Sequence, residues 1–109
     1  MPARTADKKA ESDTRHAYFT EVAEARYVLR KVFRIAEEQA REAGFDPLAH
    51  QALIQIYGSA EQRLRVNQLA ERLDIAPAFT SSLLKSLAAD GMIDRRRDDA
   101  DHRVTWVSV

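Results

Sequence analysis

No cysteine occurs in the 109 residues, which excludes a disulfide framework and any thiolate metal site and fits a reducing compartment. Glycine and proline number three each, so a glycine-rich phosphate cradle has nothing to be built from and the chain has few places to turn. No apolar run approaches the roughly 18 residues of a membrane span, and Met1 to Lys9 is followed by no signal-peptide core. These absences predict a soluble, cytoplasmic protein with no membrane partner. An excess of one charge is also missing, since 17 Lys and Arg face 17 Asp and Glu. Any case for a nucleic-acid partner therefore rests on local charge. His16, His50 and His102 are too scattered for a metal-ligand spacing such as His-Glu-x-x-His, so the sequence carries no catalytic centre, no metal and no cofactor.

With 45% hydrophobic and 31% charged residues, the chain is large enough for one modest core. Residues 1 to 12 are polar and aperiodic, which predicts a mobile N-terminal tail. Residues 13 to 45 read as a long helix, because Tyr18, Val22, Ala25, Leu29, Val32 and Ala36 recur at helical steps, widened by Phe19, Val28, Phe33 and Ile35. So broad an apolar surface on one helix asks for cover, which predicts dimerisation; the alternative is a helix packed wholly on its own domain. Gly44 supplies the left-handed stop.

Residues 46 to 109 then read as a second body. Asp46 before Pro47 signals a helix start, with Leu48, Leu53, Ile54, Ile56 and Tyr57 as its apolar surface up to Gly58. Leu64-Arg65-Val66 is β-compatible, Asn67 is expected to cap a short helix carrying Leu69, Ala70 and Leu73, and Pro77 opens a further helix to about Ala89. After Asp90-Gly91, two extended segments, Met92 to Arg97 and Arg103 to Val109, form a hairpin around an acidic turn.

Val66 to Lys85 has the spacing of a helix-turn-helix. Ala70 is small where two helices approach, Asp74 tolerates a left-handed backbone at the turn, and Ile75 plugs the gap. Leu83, Leu84 and Leu87 would seat the second helix on Leu69 and Leu73, leaving Ala78, Phe79, Ser81, Ser82 and Lys85 outward, where small and hydroxyl side chains suit a DNA major groove. Ala76 stands where a Ser or Thr cap would be expected, an omission costing roughly 0.5–2 kcal/mol. Arg95, Arg96, Arg97 and Arg103 gather near the end of the chain with Asp94, Asp98, Asp99 and Asp101 among them, so DNA binding requires the fold to separate the two signs. The fold class is thus mainly α with a small β hairpin, a winged helix-turn-helix preceded by a long N-terminal helix.

From Tyr18 to Val109 the chain resembles the MarR family of bacterial transcription regulators. The resemblance is carried by Leu69-Ala70-Glu71-Arg72-Leu73, by Leu83 to Leu87 leading into Gly91-Met92-Ile93, and most specifically by Asp101-His102-Arg103. It implies that Arg103 reaches the minor groove while Asp101 braces it, and that Arg95 matches a basic position of the first wing strand. With Asn67 and Arg97, these complete the expected DNA-binding set. It further implies a homodimer on a palindromic operator, acting as a repressor, with a small-molecule effector held between the long helix and the winged domain. Two departures stand out. Ser82 occupies a position where members often carry a basic residue, and the chain ends at Val109 where members usually continue into C-terminal dimerisation helices. Such an end leaves a fragment, dimerisation through the first helix by another route, or pairing with another protein. The rival to DNA binding is a winged-helix protein-interaction or dimerisation module.

Overall fold

The computed structural model describes residues 2–109. The chain divides into two compact units, the first ending at Gln39 and the second running from Ala40 to Val109. The first unit is a single element, helix α1 (Pro2–Glu42), whose last turn belongs to the second unit. The segment expected to be a mobile tail is therefore helical from Pro2 onward; Met1 lies outside the described residues. Aperiodicity signals only that no face of residues 5–12 is buried. Helix formation there follows from propensity, since Ala, Lys, Arg and Glu dominate it and no glycine interrupts it. Farther along, Arg34 Nη1 meets Glu38 Oε1 at 3.0 Å across one turn, an exposed pair of the kind that adds a few tenths of a kcal/mol, about 0.3–0.5. The helix closes at Gly44, whose φ of +83° suits a residue without Cβ, and the Phe45 N–H reaches back to the Ala40 carbonyl at 2.9 Å.

The second unit contains α2 (Pro47–Tyr57), β1 (Arg63–Arg65), α3 (Val66–Leu73), α4 (Pro77–Ala89), β2 (Asp94–Arg97) and β3 (Thr105–Ser108). Asp46 caps α2 as its sequence predicts, its Oδ2 accepting from the N–H groups of Leu48 and Ala49 at 3.2 Å each. The hairpin is joined by a third strand, giving an antiparallel sheet in the order β1-β3-β2. Leu64 pairs with Val107 and Arg65 with Trp106, so the short β-compatible segment enters the sheet, shifted one residue toward the N-terminus. Val66 is already the first helical residue of α3.

One core serves this unit. Ala49, Ala52 and Ile56 of α2, Leu64, Leu69, Leu84, Leu87, Ile93 and Val107 form a continuous buried cluster, with Leu53, Val66, Leu73, Leu83 and Ala88 packed against it. Ile54 and Tyr57, expected on the apolar surface of α2, instead stay exposed, because the buried positions follow the spacing Ala49, Ala52, Ile56 and small residues let the helix approach closely. Full burial of an aliphatic side chain contributes about 1.5–3 kcal/mol, so residues such as Ile56, Leu69 and Leu84 carry much of this unit's stability.

Candidate nucleic-acid interface

The turn between α3 and α4 sets the angle of the outward helix. Asp74 takes φ 55° and ψ 48°, the left-handed conformation expected of it, and the Ile75 N–H closes on the Ala70 carbonyl at 3.1 Å. Ala70 is buried, which lets the helices meet closely. Pro77 occupies the first turn of α4, and Ala76 caps it without any side-chain acceptor. The inner face of α4 is Thr80, Leu84 and Leu87, all buried, with the Thr80 hydroxyl donating to the Ala76 carbonyl at 3.0 Å. That leaves Ala78, Phe79, Ser81, Ser82 and Lys85 on the exposed side, where sequence spacing put them.

Asn67 does not cap α3. Arg65 is the capping residue, held extended at φ −76° and ψ 153° by its place in β1, and its N–H donates to Gln68 Oε1 at 3.0 Å. Strand pairing, which no local propensity shows, starts the helix before Asn67 is reached. Asn67 is instead exposed, on the rim of a hollow of about 400 Å³ shared with Arg65, Gln68, Ser81, Arg103 and Thr105. Three expected site residues, Asn67, Ser81 and Arg103, thus converge from α3, α4 and the β2–β3 turn.

In that turn Asp98 and Asp101 are tied to hydrogen-bond donors, while Asp99, like Asp94 on β2, stays exposed. Asp98 is turned toward N–H donors: Oδ1 accepts the Trp106 indole N–H at 3.1 Å, and Oδ2 accepts from the backbone of Ala100 and Asp101 at 3.1 and 2.9 Å. These bonds, the indole's first, hold its carboxyl below the usual carboxylate range. Asp101 meets Arg103 fork to fork, Nε to Oδ1 at 3.1 Å and Nη2 to Oδ2 at 3.3 Å, and also accepts the Arg103 backbone N–H at 3.1 Å. The Arg103 guanidinium, then its backbone N–H, lowers the Asp101 carboxyl in turn. The Arg103 side chain remains 91% exposed against 40% for Asp101, so the cation projects and the anion is tucked behind it.

Arg95 pairs across the sheet with Val107 and Arg97 with Thr105, whereas Arg96 lies beside Trp106 on the opposite face. All three are exposed, and none forms an ion pair among the described residues. The sequence reading missed the residues on that opposite face. Arg63 stacks on the Trp106 ring at 3.9 Å while Glu61 holds its guanidinium at 3.1 Å, and Arg65 lies 5.7 Å from the same ring. The alternation Arg63, Arg65 was a visible signal, but only pairing of β1 with β3 brings it to the tryptophan. Among the described residues no cluster of acidic and histidine side chains is gathered for a metal ion, and no helix is long and apolar enough to cross a membrane.

A helix-turn-helix whose second helix stands free beside a short β hairpin defines a winged helix-turn-helix protein, mainly helical with a small three-stranded sheet. The sequence profile of the MarR family matches residues 43–104, more than half of the chain, and the chain belongs to that family. No curated protein matches it in sequence. Among solved structures it is similar to AbsC, a MarR family transcriptional regulator from Streptomyces coelicolor (TM-score 0.65, 17% identity, 76% of this chain and 56% of AbsC). It is likewise similar to MepR of S. aureus in complex with DNA (TM-score 0.59, 20% identity, 77% of this chain and 68% of MepR). A third likeness is to the transcriptional regulator Tm0710 from Thermotoga maritima (TM-score 0.60, 28% identity, 76% of this chain and 60% of Tm0710). The chain therefore spans less than two thirds of the length of AbsC and of Tm0710.

Proposed function

We propose that the chain is a transcription regulator that binds double-stranded DNA sequence-specifically, with α4 in the major groove and Arg103 at the adjacent minor groove. The observation that carries this reading is the Asp101–Arg103 fork. A guanidinium fixed in direction by a carboxylate behind it, and otherwise exposed, suits a narrow and negative groove. Unpaired Arg95, Arg96 and Arg97 on the neighbouring strand supply further positive charge for phosphates. Membership of the MarR family and likeness to a fold solved on DNA support the same reading.

Its fuller form is a cytoplasmic homodimer that represses from a palindromic operator and answers to a small-molecule effector. The apolar side chains exposed along α1 support the dimer, and two-fold symmetry would present two copies of α4 to two half-sites. Titration of the purified chain with random duplex DNA at two salt concentrations tests the central claim. Binding that weakens steeply with salt is expected, since neutralised phosphates release counterions. Affinity indifferent to salt, or no affinity, would leave the protein-interaction module as the better reading.

A further inference from the structure

Helix α4 (Pro77–Ala89) contains no Arg, Asn, Gln, Asp or Glu at all. Those are the side chains that read guanine, adenine and cytosine edges by paired or accepting hydrogen bonds in the major groove. Its one cation, Lys85, stands about a turn and a half beyond Phe79. Thr80 is sealed inside with its hydroxyl engaged, and the Ser82 hydroxyl donates back to the Ala78 carbonyl at 3.3 Å. What the first two turns offer outward is the methyl of Ala78 and the ring of Phe79, the latter 55% exposed, with the hydroxyl side chains of Ser81 and Ser82, which pair with any base rather than select one, beside them.

Thymine is the one base that carries a methyl group into the major groove, and Ala and Phe are side chains that meet it by apolar contact. We infer that Ala78 and Phe79 read thymine C5-methyl groups, so that the duplex this chain prefers carries A·T pairs where the N-terminal turns of α4 enter the groove. The inference rests on the DNA-binding reading above and deepens it by naming what α4 recognises. Two features favour a base over an apolar protein partner. Ala78 and Phe79 are far short of the about 1,200 Å² that a stable protein interface buries, whereas a methyl group needs only one ring against it. Lys85 on the same helix and the exposed arginines of β2 also suit a polyanion.

The test starts from duplexes selected by the full chain out of a randomised pool. These are then synthesised with thymine, or with uracil, which lacks the methyl, at the selected half-site positions. Uracil at positions outside the half-site serves as control. Removal of each contacted methyl is expected to weaken binding about fourfold, the equivalent of about 0.8 kcal/mol for one buried methylene-sized group. Phe79→Ala should lose most of the thymine preference at the half-site position facing Phe79, keep it at a position facing Ala78, and show the salt slope of the parent chain. Phe79→Leu should keep part of the preference. Because Phe79 lies on the surface, an unchanged thermal midpoint is expected for both variants. Salt-dependent binding with equal affinity for thymine and uracil would overturn the inference while leaving DNA binding intact. Failure to select any duplex would overturn both, and a changed oligomeric state of Phe79→Ala would show that the ring covers a second copy instead.

Discussion

In the unit from Ala40 to Val109, Ile56, Leu69, Leu84 and Val107 are sealed from solvent, whereas Leu29, Val32 and Phe33 in the preceding helix each keep about half of their surface exposed. The first group is drawn from four elements, α2, α3, α4 and β3, that close on one another. The second sits on a single helix held by local bonds and propensity, whose residues add nothing to that core. One unit therefore stabilises itself, and the other holds unspent apolar surface whose natural use is association. In the proposed dimer, stability and assembly would be carried by different stretches of the same chain.

The contrast is broken most directly by truncating one side chain of each kind. Leu84→Ala should cost about 2–5 kcal/mol in urea unfolding of the Ala40–Val109 unit, while Leu29→Ala, measured at concentrations where the chain is monomeric, should stay within about 0.5 kcal/mol. Equal losses would mean that the exposed stripe is already a core. Next in size, the double variant Leu29→Glu with Val32→Glu should weaken self-association by about two decades, on the order of one fully buried aliphatic side chain across the whole dimer, with unchanged unfolding of the second unit. Sedimentation over a concentration series reads this, and an unaltered association state would remove α1 from the dimer.

A smaller effect separates affinity from recognition within the second unit. Arg103→Ala should flatten the logarithmic salt dependence of duplex binding by about one phosphate contact, whereas Ser82→Ala should leave the slope alone and narrow the gap between selected and random duplexes. Intact affinity and slope in Arg103→Ala would sink the minor-groove assignment.

The smallest concerns pH. Asp98 is held below its ordinary range by the Trp106 indole and the backbone of Asp101, so the folded state keeps the carboxylate more readily than the unfolded chain does. Its stabilising contribution is complete above the unfolded value, about 3.9, and is lost as pH falls through the lowered folded value. Trp106→Phe, which keeps a ring and removes the N–H, should shallow the acid-side loss of thermal stability; the same slope as the parent would mean that the indole bond contributes nothing.

Much of this was readable before the fold was seen, where residues act locally. Asp46-Pro47, Asp74, Pro77 and Asp90-Gly91 each mark a boundary through their own backbone chemistry, and the outward set on α4 follows from where Leu83, Leu84 and Leu87 must go. What stayed hidden depends on distant pairing. Asn67 looks like a cap until β1 claims Arg65, and Trp106 is an ordinary strand residue until Asp98 and Arg63 arrive from other segments. The helical start at Pro2 was missed for the opposite reason, since amphipathic periodicity reports burial and residues 5–12 have none.

Arg65 ends β1, and Val66 begins α3 with no residue between them. A joint of zero length has no slack. Turning α3 would have to unzip Arg65 from Trp106, and sliding β1 by one register would drag α3 along by about 3.3 Å and turn Leu64 out of the core. The β3 strand that fixes this register also forms one arm of the hairpin carrying Arg103. Hairpin and helix pair thus behave as a single stiff tool, aimed together before any duplex arrives, and little ordering entropy remains to be lost on contact.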